Sequence, residues 1–234
     1  MKNTLALYAS APHPCNYLPG EEAITVFADP RTPASRRLYS QLVDHGFRRS
    51  GEHIYRPGCR DCTACVAVRV PVAQFQPNRT QRRIWRRNQD LEIIRVPVAR
   101  NSEHFALYQR YLTARHPGGG MDNPDPANYM SFFASGEIDT TLIEFRHEEE
   151  LLAVAVTDYL PQGLSAVYTF FDPTLEHRAR SLGVYAILWQ IEEAKRLGLP
   201  FVYLGYWIEK SPKMSYKSRY RPLEGYRDRK WGVL

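Results

Sequence analysis

The order of apolar runs between residues 140 and 208 constrains the fold more than any other feature of the sequence. "TTLIEFR", "LLAVAVTDYL" and "LSAVYTFFDP" are strand-length runs, and turn residues separate them. A helix begins near Ser181. Val184, Ile187, Leu188 and Ile191 fall on one face, Glu192, Lys195 and Arg196 face water, and Gly198 closes it. "FVYLGYWI" then reads as one more strand. Strand, strand, strand, helix, strand predicts an α/β chain (α+β in the sense of a mixed sheet).

Upstream the texture differs. Over residues 1–100 the chain reads as irregular, with strand-like "AITVFA" and "VAVRVPV" and a helix over "PASRRLYSQLVDHGF" that Gly46 stops. From residue 101, "SEHFALYQRYLTARH" is helical, with Phe105, Tyr108 and Leu112 at helical spacing. "HPGGGMDNPDP" is a loop and "ANYMSFFAS" a second helix. The expected organisation is an N-terminal region over 1–100, carrying cysteines and a basic helix, and a second domain over 101–234.

The 234 residues carry a net charge of +6, so an acidic partner is expected: nucleic acid, an anionic membrane surface or an acidic substrate. The charge is concentrated. In "NRTQRRIWRRNQD", Arg79, Arg82, Arg83, Arg86 and Arg87 lie at i, i+3, i+4, i+7 and i+8, on one face if the segment is helical. No acid lies among them, and arginine matches phosphate in a bidentate way. This predicts a backbone contact with nucleic acid; the plainer alternative is a solvated arginine face. In the C-terminal segment, Lys213, Lys217, Arg219 and Arg221 interleave with Tyr216, Tyr220 and Trp231. That mixture suits an RNA end with unstacked bases, or equally a tail packed on the sheet by its aromatics.

Three of the chain's four cysteines, Cys59, Cys62 and Cys65, fall within seven residues. With Cys15 they supply four thiolates, a set that suits zinc or an iron–sulfur cluster, and His13 and His53 compete as ligands. Packed free thiols are the alternative. No apolar run approaches the ~18–20 residues of a membrane span, and the opening "MKNTLALYASAPHPC" is a poor secretory signal. The expected location is cytoplasmic, where thiols stay reduced. No Gly-x4-Gly-Lys-[Ser/Thr] loop occurs, so no nucleotide cofactor is expected.

Residues 140–208 resemble the central part of the GNAT acyltransferase fold, which splits two neighbouring strands to hold an acyl donor. "RSLGVY" partly resembles its R/Q-x-x-G-x-G/A loop, with Arg180 and Gly183 in place. Tyr185 stands where that loop ends in a small residue, which argues against a coenzyme A pyrophosphate.

"CNYLPG", "GFRRSGEHIYRPGCRDCTACVAVRVPV", "NRTQRR", "RSLG", "VYLGYWI" and "KMSYKSRYRPLE" together resemble the aminoacyl-tRNA–protein transferases, and more narrowly their compact bacterial aspartate/glutamate leucyltransferase branch, over roughly residues 5–232. The resemblance implies transfer of leucine from leucyl-tRNA to the N-terminal α-amine of proteins beginning with Asp or Glu, which creates a destabilising N-terminus. The iron–sulfur cluster reported for the larger eukaryotic arginyltransferases would carry over to Cys15, Cys59, Cys62 and Cys65, although Leu18 stands where their second cysteine would.

The ester donor already holds the free energy of the reaction, so no cofactor is needed for the chemistry. Candidates at the sheet edge are Asp158 and Asp172, to accept a proton or hold the α-ammonium, and Tyr168 and Tyr206, to donate to the oxyanion or leaving hydroxyl. Arg48 and Arg49 are candidates to hold the acidic acceptor side chain, as are Lys213 and Lys217. Three other readings are an arginyl-tRNA–protein transferase, a CoA-dependent N-acetyltransferase and a non-enzymatic RNA-binding module.

Overall fold

A computed structural model describes residues 5–32, 35–115, 125–134 and 136–234. The N-terminal part holds β1 (Leu7–Ala9), β2 (His13–Pro14), β3 (Glu22–Ala23), β4 (Thr25–Ala28), α1 (Arg36–Asp44), β5 (Arg48–Ser50), β6 (His53–Pro57), β7 (Val66–Pro71) and α2 (Arg79–Arg87). There follow β8 (Glu92–Pro97), α3 (Ser102–Arg115), α4 (Pro126–Phe133), β9 (Thr140–His147), β10 (Glu150–Leu160), β11 (Gly163–Phe171), α5 (Leu175–Arg178), α6 (Leu182–Arg196), β12 (Phe201–Trp207), β13 (Glu224–Arg227) and β14 (Lys230–Val233). The expected loop over 116–126 lies almost wholly outside the described residues.

The chain is mixed α/β, as its sequence predicts. Its main sheet has the order β14-β13-β7-β12-β11-β10-β9-β8. All neighbours are antiparallel except β11 and β12. That pair is joined by α5 and α6, and a crossover of this length is what a parallel pair requires. Strands β7 and β8 come from the first hundred residues and sit within the same sheet as the later strands. A smaller antiparallel sheet, β1-β4-β6-β5, packs at one side.

Both faces of the main sheet are covered. Along β10, Ala153 and Ala155 face α6, with Ile187 and Ile191, while Val154 and Val156 face α3 and α4, with Leu107, Leu112 and Phe133. This explains why "LLAVAVTDYL" is a continuous apolar run: a strand buried on both faces has no polar side to alternate with. A third cluster joins α1 and the small sheet to the main one through Tyr39, Val43, Phe47, Ile54, Leu160 and Tyr203.

Local signals account for the helices. Ser35 caps α1 by accepting from the Leu38 amide, and Gly46 follows at φ +81°. At α2, Asn78 and Gln81 form a capping box.

Candidate functional site

The parallel pair is where the sheet opens. Strands β11 and β12 are paired only at their starts, Gly163–Ser165 against Phe201–Tyr203. Beyond that, β11 stays paired with β10 as far as Phe171, and β12 with β7 as far as Trp207, so their facing edges are left apart. A bulge in β11 at Val167, opposite Val156/Thr157 of β10, and an irregularity in β12 at Tyr203/Gly205 flank the split.

Arg48, at the start of β5, reaches into this split. Its Nη2 donates to the Val167 carbonyl on β11 at 3.3 Å, and its guanidinium carbon lies 5.6 Å from the Tyr206 ring centroid on β12. Gly205 makes the approach possible. It sits at φ +76°, and a Cβ there would stand 2.2 Å from the guanidinium carbon. Tyr55, Tyr206, Tyr39 and Tyr17 are the tyrosines that act electrostatically on Arg48.

Arg49 points the other way and is buried. Its Nε and Nη2 donate to the Asp158 carboxylate at 2.7 and 2.6 Å, Nη2 also reaches Thr140 Oγ1 at 3.0 Å, and Nη1 reaches the carbonyls of Gly51 and Phe133 at 3.3 Å. Asp158 further accepts from Thr140 at 2.8 Å, and both side chains of the ion pair are 0% exposed. This corrects two expectations. Arg49 has no face for an acceptor side chain, and Asp158 is a fixed counter-charge shielded from substrate, because the pair's hydrogen-bonding capacity is spent inside the fold.

Tyr206 is also corrected. It is buried, and its hydroxyl is committed to the Gly46 carbonyl at 2.8 Å and the Tyr55 carbonyl at 3.3 Å. Tyr168 differs. Its hydroxyl has no hydrogen-bond partner among the described residues, it sits against Tyr108, Tyr111, Phe132 and Phe133, and burial raises its pKa. It remains a protonated donor throughout the physiological range.

Asp172 accepts from the Thr174 amide at 2.8 Å and from Arg110 at 3.4 Å. Burial alone would raise its carboxyl, but the Thr174 bond, Arg110 and His177 hold it below the ordinary range. A carboxylate so held suits the turn after β11 better than it suits proton abstraction.

Lys217 is the residue whose environment sequence reasoning missed. Expected as a contact to RNA or to the acceptor's acid, or as part of a tail packed on the sheet, it is 4% exposed, whereas Lys213 lies on the surface. Its Nζ donates to the Tyr206 carbonyl at 2.5 Å and to Met214 Sδ at 3.5 Å. Burial, and then the charge of Arg48, push its pKa well below the ordinary 10.5.

The pH dependence follows from that direction. Between the folded pKa and 10.5 the unfolded chain binds a proton that the folded chain does not, so the Lys217 contribution to stability rises with pH and levels off above 10.5. Lys217→Met removes this slope. Urea unfolding over a series of pH values up to 10.5 should show the wild type gaining on the variant as pH rises, by up to about 1.4 kcal/mol per pH unit once the folded pKa is passed.

On α2, all five arginines are exposed, while Gln81, Ile84 and Asn88 are buried and Trp85 packs on Tyr185 of α6 at 5.4 Å. None of the five is paired with a carboxylate among the described residues. Arg82 and Arg87 instead donate to the carbonyls of Pro77 and Ala179, each at 2.5 Å.

Cys15, Cys59, Cys62 and Cys65 are free, half-buried thiols. They lie near one another, since burial and then Cys15, Cys59 and Cys62 push the Cys65 thiol up to about 12. Among the described residues, no group of three or more His, Cys, Asp or Glu side chains is placed to hold an ion. Cys59 Sγ instead faces the Ile24 carbonyl at 3.9 Å, and Cys15 Sγ accepts from the Tyr17 amide at 3.5 Å. The expectation of zinc or an iron–sulfur cluster on these four is therefore not carried by their geometry.

Among the described residues no helix is long and apolar enough to cross a membrane. Family models described as the N terminus and the C terminus of arginine-tRNA-protein transferase match residues 13–83 and 103–227. The chain is 57% identical over 228 residues to an aspartate/glutamate leucyltransferase of Nitrosococcus oceani, covering 97% of this chain and 95% of that one. It is 53% identical over 230 residues to the protein of the same name from Pseudomonas aeruginosa, covering 98% and 97%. Among solved structures, FemX matches with a TM-score of 0.48 at 10% identity, covering 89% of this chain and 81% of that one. L-PGS from Bacillus licheniformis matches with a TM-score of 0.47 at 12% identity, covering 73% and 51%.

Proposed function

The chain belongs to the arginine-tRNA-protein transferase family, and from that membership we propose that it transfers leucine from leucyl-tRNA to the N-terminal α-amine of proteins beginning with Asp or Glu. The observation that carries this reading is identity above half, over nearly the full length, with relatives named aspartate/glutamate leucyltransferases. The product is a destabilising N-terminus, and the expected location is the cytoplasm.

The chemistry asks little of the protein beyond placement. The donor ester is already activated. The α-amine has an unperturbed pKa of about 7.7–8.0, so a useful fraction is neutral at cellular pH. Holding amine and ester in register can lower the barrier by about 7–11 kcal/mol in the best cases. Neither a covalent enzyme intermediate nor a nucleotide is required.

The opening between β11 and β12 is the place for this encounter, and it supports a GNAT-like reading of residues 101–234. Residues 1–100 contribute the cysteine cluster and α2. Tyr168 is the candidate donor to the developing oxyanion, because its buried hydroxyl is unpaired among the described residues. The exposed arginines of α2 and the exposed Lys213 are the candidate contacts to the tRNA phosphates. Arg48 lies across the split that an acyl-CoA would have to enter, which weighs against a CoA donor.

The test is a transfer assay with purified protein, radiolabelled leucyl-tRNA or arginyl-tRNA, and peptides beginning with Asp, Glu or Ala. Leucine should appear on the Asp and Glu peptides only. Arginine transfer would keep the reaction class and change the donor. Transfer from neither tRNA, with tRNA still bound, would leave an RNA-binding module.

A further inference from the structure

Two adjacent arginines have opposite fates in this fold. Arg49 is neutralised by Asp158 in a closed ion pair. Arg48 has no carboxylate partner among the described residues, and the groups that act on it are tyrosines. Asp158 is committed to Arg49 and Thr140, while Asp44 is taken by Arg69 and Tyr203. Of the five N–H donors a guanidinium carries, the structure shows one placed, on the Val167 carbonyl.

A second basic group, Lys217, is buried against the same residue, Tyr206. Its Nζ bonds the carbonyl of Tyr206, the residue whose ring Arg48 overlies, and the charge of Arg48 acts on it. A guanidinium withdrawn from water without an anion is a costly arrangement, neutral tyrosines do not neutralise it, and the same field holds the Lys217 amine toward its neutral form. The arrangement is completed by an anion that arrives with a ligand.

Resting on the leucyl-transfer reading, we propose that Arg48, with Lys217 beside it, receives the side-chain carboxylate of the acceptor's first residue and so sets the enzyme's requirement for Asp or Glu. A carboxylate on a short side chain offers two coplanar oxygens to the guanidinium fork. An Asn or Gln acceptor replaces one of these oxygens with an amide NH2, which points donors at donors and leaves the guanidinium unpaired. The competing anion is a phosphate of the tRNA 3′ end. The structure favours the carboxylate because Arg48 is half-buried between strands, whereas the cations suited to a nucleic-acid backbone lie in the open on α2.

The experiment measures kcat/KM for otherwise identical peptides beginning with Asp or Asn, mixed in one reaction so that they compete for the same enzyme. Their ratio does not depend on how much of a variant is folded. The wild type should prefer Asp by about a hundredfold or more, and Arg48→Met should bring the ratio to within about tenfold of unity while leaving leucyl-tRNA affinity unchanged. Arg48→Lys, which keeps the charge and loses the fork, should fall between them. An Asp preference that persists in Arg48→Met overturns the proposal. Weakened tRNA binding with that preference intact overturns it in favour of the phosphate. If Arg48→Met is inactive on both peptides, Lys217→Met decides, and an unchanged ratio there also overturns the assignment. Absence of transfer by the wild type would instead defeat the leucyl-transfer reading itself.

Discussion

Asp158→Ala should destabilise the chain by about 3–5 kcal/mol, the usual cost of leaving one partner of a buried ion pair uncompensated. In a domain of this size that corresponds to a fall in melting temperature of about 6–20 °C. The reason is local. Asp158 is the anion for an arginine that ties β5 to α4, β9 and β10 through the Phe133 carbonyl, Thr140 and the carboxylate itself. Asp158→Asn should cost nearly as much, because the amide keeps the shape but not the charge. Replacing both partners with apolar residues, as in Arg49→Met with Asp158→Leu, should recover much of the loss, since the double variant buries no lone cation. Denaturant unfolding of the four proteins measures this directly. If Asp158→Ala kept wild-type stability and lost only transfer, the carboxylate would be part of the chemistry and the strut assignment would be wrong.

That pair also shows where the sequence stops being informative. "FRRSG" presents two arginines with no sign that one is sealed in the core and the other faces an opening. The difference depends on alternation along a three-residue strand, β5, and on which sheet each side receives. The elements with strong periodicity were legible: α1, α3, α6 and the strands from β9 to β12 fall where their apolar spacing places them. The α2 arginines were legible for the same reason, since a stripe at helical spacing needs no tertiary information to define a face.

Other features could not be read because their signals are tertiary. Strand β8 is a half-exposed edge. The β13–β14 hairpin turns on Asp228 and Arg229, at φ +51° and +61°, with no glycine to announce it. Lys217 reads as one more cation in a basic tail, and only the path of that tail past Tyr206 shows it to be buried. The cysteines are a different case. Their spacing is compatible with a metal site, but spacing fixes separation along the chain and says nothing about the direction of each sulfur.

Reversing Arg82 and Arg86 to Glu should weaken tRNA binding on the order of tenfold to a hundredfold at low salt, and should reduce the slope of log K against log salt by about 1.5. Each arginine that neutralises a phosphate releases counterion worth roughly 0.7–0.9 of that slope, so two lost contacts give the figure. Both residues are exposed, and the helix is held by Gln81, Ile84 and Asn88 on its other side, so the fold should tolerate the change. The reversals should not weaken the isolated helix, since they turn the i, i+3 repulsions at 79/82 and 83/86 into attractions while 82 and 86 remain like-charged at i, i+4. A variant at least as stable as the wild type that binds leucyl-tRNA poorly therefore separates function from folding. At saturating tRNA its preference for acidic acceptors should be unchanged, because that choice is made at the split and not on α2. Unaltered tRNA affinity and an unaltered salt slope would mean that the arginine face is only a solvated surface, and the donor would have to be held by other cations, such as Lys213 and its neighbours in the C-terminal segment.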